Sequence, residues 1–109
     1  MEYSFKLDNG VLYVFFDGRL DTENSLKFEQ EITGICKENQ HDSMVLDASG
    51  MEYIASSGLR TILKLAKTEK NFKIENMQPS VYSVFEMTGF SRIISITKAL
   101  RKIDLEKCE

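Results

Sequence analysis

The sequence contains few cysteines and a single histidine, and this scarcity excludes several kinds of site. Cys36 and Cys108 are far apart and form neither a disulfide framework nor a zinc-binding pattern. His41 is the only histidine, and we expect it to be solvated in a polar loop with no nucleophile motif nearby. We therefore expect a protein of a reducing compartment that is not an enzyme.

Long apolar runs and clusters of positive charge are also absent. No stretch approaches the roughly 18 consecutive apolar residues of a membrane span, and residues 1–6 lack the apolar core of a leader peptide. The 14 Lys and Arg residues are outnumbered by 17 Asp and Glu residues, for a net charge of -3. Membrane insertion and nucleic-acid binding are therefore not expected, and the cytoplasm is the predicted location. Without a glycine-rich phosphate loop, no cofactor is predicted.

The length and the apolar content predict a single domain that spans residues 1–109. The chain is 42% hydrophobic and contains 7 Phe and 4 Tyr residues. That apolar content is sufficient for a core that does not depend on disulfides or metals.

An amino-terminal β-hairpin is the clearest local pattern. Apolar residues alternate with polar ones over residues 3–8, Asn9 and Gly10 suit a tight turn with positive φ angles, and residues 11–16 are apolar throughout. The second strand is therefore expected inside the sheet, with both of its faces covered.

Beyond the hairpin, helical and extended patterns alternate along the chain. Asp21 or Thr22 can cap the first helix, and Thr97 can cap the last. Helices are expected at 22–39, 56–70 and 79–88, where Gly89 ends the third, and after residue 97; strands are expected at 44–46, 72–74 and 93–96, with a loop at 48–50. The order β-β-α-β-α-β-α-β-α predicts an α/β fold with a mixed, mainly parallel sheet and packed helices.

Ser56, Ser57 and Gly58 begin the second predicted helix and form the most informative segment. A serine at a helix start can accept a hydrogen bond from a free backbone N–H, and the partial positive charge there favours a phosphate. Gly58 is expected to leave the two hydroxyls accessible. Taken alone, the segment is better explained as ordinary helix capping with no regulatory role.

Motifs across nearly the whole chain resemble the STAS family, the domain shared by bacterial anti-sigma factor antagonists and the cytosolic parts of sulfate transporters. They are the hairpin, Gly18-Arg19-Leu20-Asp21, Leu46-Asp47-x-Ser49-Gly50, Tyr53-Ile54-x-Ser56-Ser57-Gly58-Leu59 and Met87-Thr88-Gly89-Phe90. No single motif is decisive, but their order and spacing together are specific.

The resemblance implies a phosphorylation-regulated antagonist. In family antagonists the first hydroxyl of an Asp-Ser-Ser-Gly or Asp-Ser-Thr-Gly signature is phosphorylated by an anti-sigma factor that is also a serine kinase, and a serine phosphatase resets the module. Ser56 matches that position, although Ala55 replaces the usual Asp. The implied partner-binding residues are Asp21, Asp47, Ser56, Ser57, Gly58 and Arg60.

Other interpretations of the same residues remain open. Asp21 can be a helix cap and Asp47 a turn acceptor, each with only a local role. Arg60 can be a solvated side chain on an exposed helix face. The whole domain can be a constitutive STAS subunit of a lipid-transport or stress-signalling complex without switching, or a nucleotide-binding domain.

Overall fold

The computed structural model describes residues 1–99, which form a five-stranded sheet with three α-helices. The elements are β1 (Glu2–Asp8), β2 (Val11–Leu20), α1 (Ser25–Glu38), β3 (Ser43–Ile54), α2 (Ser56–Thr68), β4 (Phe72–Met77), α3 (Pro79–Thr88), a 3₁₀ turn (Phe90–Arg92) and β5 (Ser95–Lys98). None of the helices in this part of the chain is long and apolar enough to cross a membrane.

The sheet is mixed and mainly parallel, which confirms the predicted fold class. Its strands lie in the order β1-β2-β3-β4-β5; β1 is antiparallel to β2, and all other neighbours are parallel. The hairpin turn is where the sequence predicts it, with positive φ angles of 51° at Asn9 and 79° at Gly10. The expected element order is confirmed as far as β5, and the expected last helix lies outside the described residues.

Strand β2 is an interior strand, as predicted, but only one of its faces is covered. Phe16 is 2% exposed, whereas its neighbour Phe15 is 39% exposed. The continuous apolar run was expected to mean burial on both sides, and that expectation is wrong. The helices pack on the face of Phe16, so the Phe15 side of the sheet contacts solvent.

A single apolar core joins this face of the sheet to the three helices. The apolar faces of the helices supply one side of it, and the inward residues of the three central strands supply the rest. The fully buried large side chains are Phe28, Phe85, Leu12, Leu20, Ile32, Met44, Leu46, Met51, Ile62, Ile74, Met77 and Val14.

Strand β3 is much longer than the predicted strand at 44–46. Its pairing with β4 ends at Asp47, where the prediction ended, but its pairing with β2 continues as far as Leu20 and Ile54. The expected loop at 48–50 is therefore strand. Gly50 makes this possible, because a Cβ atom there would lie 2.6 Å from Asp17 Oδ1 and 2.8 Å from the Phe16 carbonyl oxygen.

Helices α2 and α3 begin where predicted, and the main difference from the predicted helix boundaries is the start of α1. Helix α1 begins at Ser25 with Asn24 as its N-cap residue, so neither Asp21 nor Thr22 is the cap. Helix α3 ends at Gly89 with φ 84°, as predicted. The last strand lies at Ser95–Lys98, and Thr97 belongs to it instead of capping a helix.

Helices α1 and α2 lie side by side and run in the same direction. Ser25 and Ser57 are hydrogen-bonded at their amino-terminal ends, and Glu29 contacts Lys64 at 2.7 Å further along. Thr61 is buried and donates a hydrogen bond to Glu29 at 3.3 Å. Polar contacts therefore set the register between two helices that share the core below them.

We predict that Gly50→Ala destabilises the fold by about 1–3 kcal/mol, because the new methyl group overlaps the backbone of β2. Gly34→Ala in α1 is the matched control. Nothing lies within 4 Å of a Cβ atom at Gly34, so this change should stabilise the protein by about 0.5–1 kcal/mol. Urea denaturation of both variants measures the difference, and equal effects would contradict the close approach at Gly50.

We predict that Glu29 contributes to the loss of stability in acid. The hydrogen bond from Lys64 holds the pKa of Glu29 below its ordinary value, although partial burial acts in the opposite direction. A lowered pKa adds stability above the pKa of the unfolded chain, and this stability is lost as the pH falls through the folded-state pKa. Lys64 is mostly exposed, so the pair should contribute only about 0.2–1 kcal/mol.

Denaturation of Glu29→Gln at neutral and acidic pH tests this prediction. The variant should be less stable than the parent at pH 7 and should approach it in acid. Glu86→Gln, on the exposed side of α3, is the control and should change little at either pH.

Candidate functional site

The end of β3 and the first turn of α2 form the candidate site. Ala55 is the N-cap residue, with extended backbone angles of φ -90° and ψ 170°, and its N–H donates to the Leu20 carbonyl at 2.9 Å. Ser56 is therefore the first residue inside the helix, and the expectation that it is the cap is wrong. Ala55 has no side-chain oxygen, so the helix start lacks a side-chain cap.

Ser56 and Ser57 are neighbours in sequence but have different surroundings. Ser56 is exposed, and its hydroxyl has no hydrogen-bond partner among residues 1–99. The Ser57 hydroxyl accepts a hydrogen bond from the Ser25 hydroxyl at 2.9 Å, and Ser25 is buried. Ser57 thus joins α2 to α1, while the Ser56 hydroxyl is available to another molecule.

Gly58 is a packing position, which differs from the role expected for it. It is buried against β2 and β3, and a Cβ atom there would lie 2.9 Å from Leu20 Cγ and 3.0 Å from Ile54 Cγ1. The expectation that it leaves the serines accessible is therefore wrong. Because Gly58 has no side chain, α2 can start directly on the ends of the two strands. The exposure of Ser56 comes from its own outward direction.

Asp21 lies beside this helix start because β2 and β3 end together. It directly follows Leu20, the residue whose carbonyl binds the Ala55 N–H. Its carboxylate accepts a hydrogen bond from the Asn24 N–H at 3.1 Å, and the Asn24 side chain accepts one from the Asp21 N–H at 2.9 Å. Asp21 therefore organises the turn before α1 without being its cap.

Asp47 does not lie at the helix start. It precedes Ile54 by seven residues on β3, which corresponds to about 23 Å at about 3.3 Å per residue. Its carboxylate accepts hydrogen bonds from the Ser49 N–H at 3.0 Å, the Ser49 hydroxyl at 2.7 Å and the Asn76 side chain at 3.1 Å. These contacts match the local alternative, a carboxylate that satisfies nearby backbone and side-chain donors.

Arg60 is exposed on the wall of a groove between the amino-terminal halves of α1 and α2. The groove has a volume of about 480 Å³ and also exposes Leu26, Lys64 and Lys67. Leu26, in the first turn of α1, is 62% exposed. The sequence predictions did not include Leu26, although it lies off the apolar stripe of α1 and could have been noticed for that reason.

A second unpredicted feature lies one pair before the end of the β2–β3 pairing. The Arg19 guanidinium lies 4.2 Å from the centre of the Tyr53 ring, and Tyr53 is 41% exposed. The two residues are partners in the strand register. Tyr53 precedes Ser56 by three residues, so this exposed aromatic ring and the Arg19 cation paired with it lie shortly before the start of α2.

We predict that alanine replacements separate the roles of the two serines. Ser57→Ala should cost about 0.5–1.5 kcal/mol of stability, because it removes the acceptor of the buried Ser25 hydroxyl. Ser56→Ala should change stability by less than about 0.5 kcal/mol, as expected for an exposed surface position. Thermal and urea denaturation measure both values. A larger loss for Ser56→Ala would contradict this assignment.

Known proteins resemble this chain over most of its length. The STAS domain profile matches residues 3–103. The Bordetella bronchiseptica protein named "Putative anti-sigma factor antagonist BtrV" is 30% identical over 98 residues, which cover 86% of this chain and 83% of that protein.

Solved structures of low sequence identity share the fold. An anti-sigma factor antagonist from Mycobacterium paratuberculosis has a TM-score of 0.79 at 20% identity, covering 93% of this chain and 88% of its own. The structure of unphosphorylated SpoIIAA has a TM-score of 0.71 at 15% identity, and the match covers 99% of this chain and 98% of SpoIIAA. The structure of phosphorylated SpoIIAA from Bacillus has a TM-score of 0.63 at 15% identity, and the match covers 94% of this chain and 97% of SpoIIAA. With the profile match and the curated relative, these similarities show that the chain belongs to the STAS domain family.

Proposed function

We propose that the chain is an anti-sigma factor antagonist that acts in the cytoplasm as a binding protein and not as an enzyme. In its unphosphorylated form it binds an anti-sigma factor that is also a serine kinase. Phosphorylation of Ser56 releases this partner, and a serine phosphatase restores the binding form. The observation that carries the proposal is the exposed Ser56 hydroxyl in the first turn of α2.

The surroundings of Ser56 suit a phosphate that changes the surface and leaves the fold intact. A phosphoserine adds a charge of about -1.5 to -2 at neutral pH. The partial positive charge of the α2 start favours an anion there, and Ser56 makes no contact that a phosphate would break within the described part of the chain. The domain should therefore remain folded while its surface becomes more negative.

The residues around Ser56 offer both apolar and charged contacts to a partner. Leu26 and Tyr53 expose apolar surface, and Arg60 is an exposed cation on the groove wall. Aromatic and arginine side chains are common anchors of protein interfaces. A dianion placed among them would have to be desolvated on binding, which weakens the complex and slows its formation.

The relatives support the same general role. BtrV is named as an anti-sigma factor antagonist, and SpoIIAA is described in both a phosphorylated and an unphosphorylated form. These descriptions concern those proteins. For this chain they favour a role in which one fold exists in two phosphorylation states.

We predict that Ser56→Asp weakens binding to the cognate anti-sigma factor by at least about tenfold, equivalent to about 1.4 kcal/mol. Ser56→Ala should keep near-parental affinity and should not accept phosphate. Ser4→Asp, which places the same charge on the exposed strand β1, is the matched control and should bind like the parent. Isothermal titration calorimetry measures the affinities. Equal binding by the two Ser56 variants would exclude the switch.

Phosphate mapping tests the site independently of the affinities. After incubation with the kinase and ATP, intact mass should show one phosphoryl group, and peptide mapping should place it on Ser56. A phosphate on Thr61 or Ser49, with Ser56 unmodified, would contradict the assignment.

One observation favours a second candidate, a constitutive STAS subunit of a larger complex. Ala55 stands where family antagonists often have Asp, and its side chain is buried. The carboxylate that accompanies the phosphorylated serine in the family is thus missing. A partner that binds the parent, Ser56→Ala and Ser56→Asp equally, with no phosphate found on the protein, would favour this candidate.

A further inference from the structure

Three potential metal ligands meet at the carboxyl-terminal ends of α1 and α2. Cys36 lies in the last turns of α1, His41 in the loop that follows, and Glu69 directly after α2. One ligand atom from each lies within 4.8 Å of the other two. His41 was expected to be solvated, but its side chain is only 8% exposed, so that expectation is wrong.

The hydrogen bonds of His41 orient its ring as in many metal sites. Nδ1 lies 2.5 Å from the Asn39 carbonyl oxygen, and Nε2 lies 2.6 Å from Glu69 Oε1. The Asn39 carbonyl and the Glu69 carboxylate are both acceptors. The His41 ring must therefore either carry a proton on each nitrogen or coordinate a cation through Nε2. A backbone carbonyl that binds the Nδ1–H is the usual arrangement behind a histidine that coordinates through Nε2.

We propose that Cys36, His41 and Glu69 bind one Zn²⁺ ion. Zinc accepts sulfur, nitrogen and oxygen ligands together, whereas Mg²⁺ and Ca²⁺ prefer oxygen alone. When Zn²⁺ binds, the Cys36 thiol and the doubly protonated His41 ring each lose one proton to solvent, and His41 then binds through a neutral Nε2. The thiolate and the carboxylate then balance the two positive charges of the ion, which suits a partly buried position.

A cavity between the carboxyl-terminal halves of the two helices gives access to this cluster. It has a volume of about 570 Å³, and its lining includes Cys36 and Glu69. Three protein ligands leave a fourth tetrahedral position, which water from this cavity can fill. Lys37 also lines the cavity, but it is exposed and can direct its charge into solvent. The site lies at the opposite end of α2 from Ser56 and does not depend on the proposed switch.

Metal titration of the chelator-treated, full-length protein tests the proposal. Zn²⁺ alone should bind at one equivalent by isothermal titration calorimetry with release of protons from Cys36 and His41, and Mg²⁺ should give no signal. Co²⁺, used as a spectroscopic substitute, should produce a thiolate-to-metal absorption band in the near ultraviolet. No zinc binding, or a Co²⁺ complex without this band, would overturn the proposal whether or not any variant folds.

Variants of the three ligands identify the site. Cys36→Ser should abolish the Co²⁺ band, whereas Cys108→Ser, which removes the other cysteine, should retain it. His41→Gln and Glu69→Gln should each weaken Zn²⁺ binding by at least the roughly 10- to 100-fold that is typical when a supporting partner is lost. Circular dichroism establishes that each variant is folded. A band that survives in Cys36→Ser, or losses below tenfold in both other variants, would contradict the assignment.

Discussion

Strand β3 stops pairing with β4 at Asp47 but continues to pair with β2. This continued pairing is the constraint on which the rest of the structure depends. It brings Leu20 and Ile54 to the same point, where the Leu20 carbonyl binds the Ala55 N–H. Gly50 permits the strands to approach, and Gly58 permits α2 to start on their ends. Ser56 faces outward because these contacts hold the backbone on both sides of it.

Helix α2 runs between two polar contacts, one at each end of the α1–α2 pair. At the amino-terminal end, Ser57 contacts Ser25, and at the carboxyl-terminal end Glu69 contacts His41. The first end carries the proposed phosphorylation site and the second the proposed zinc site. Because the helices share one core, stabilising either end should hold the other in register, although each site has its own chemistry.

The sequence predicted those features that depend on short-range patterns. The hairpin turn at Asn9 and Gly10, the helix stop at Gly89 and the α/β order all follow from local backbone preferences and apolar periodicity. The start of α2 at Ser56 was also predictable, since two small polar residues precede an apolar stripe.

The features that were missed depend on contacts between distant residues. The length of β3 comes from its pairing with β2, and the roles of Ser57 and Gly58 come from packing against α1 and the two strands. The cluster of Cys36, His41 and Glu69 joins α1 and the loop after it to the residue that follows α2, so no spacing in the sequence reveals it. Local patterns therefore located the candidate site, and tertiary packing decided what each of its residues does.

The most direct test of the proposed switch is the affinity of the cognate anti-sigma factor for two preparations of the same protein. One carries phosphoserine at position 56, and the other carries none. We expect both to be folded, with closely similar circular dichroism spectra, and we expect the phosphorylated form to bind at least about tenfold more weakly. Equal affinity of the two folded forms would contradict the proposed switch.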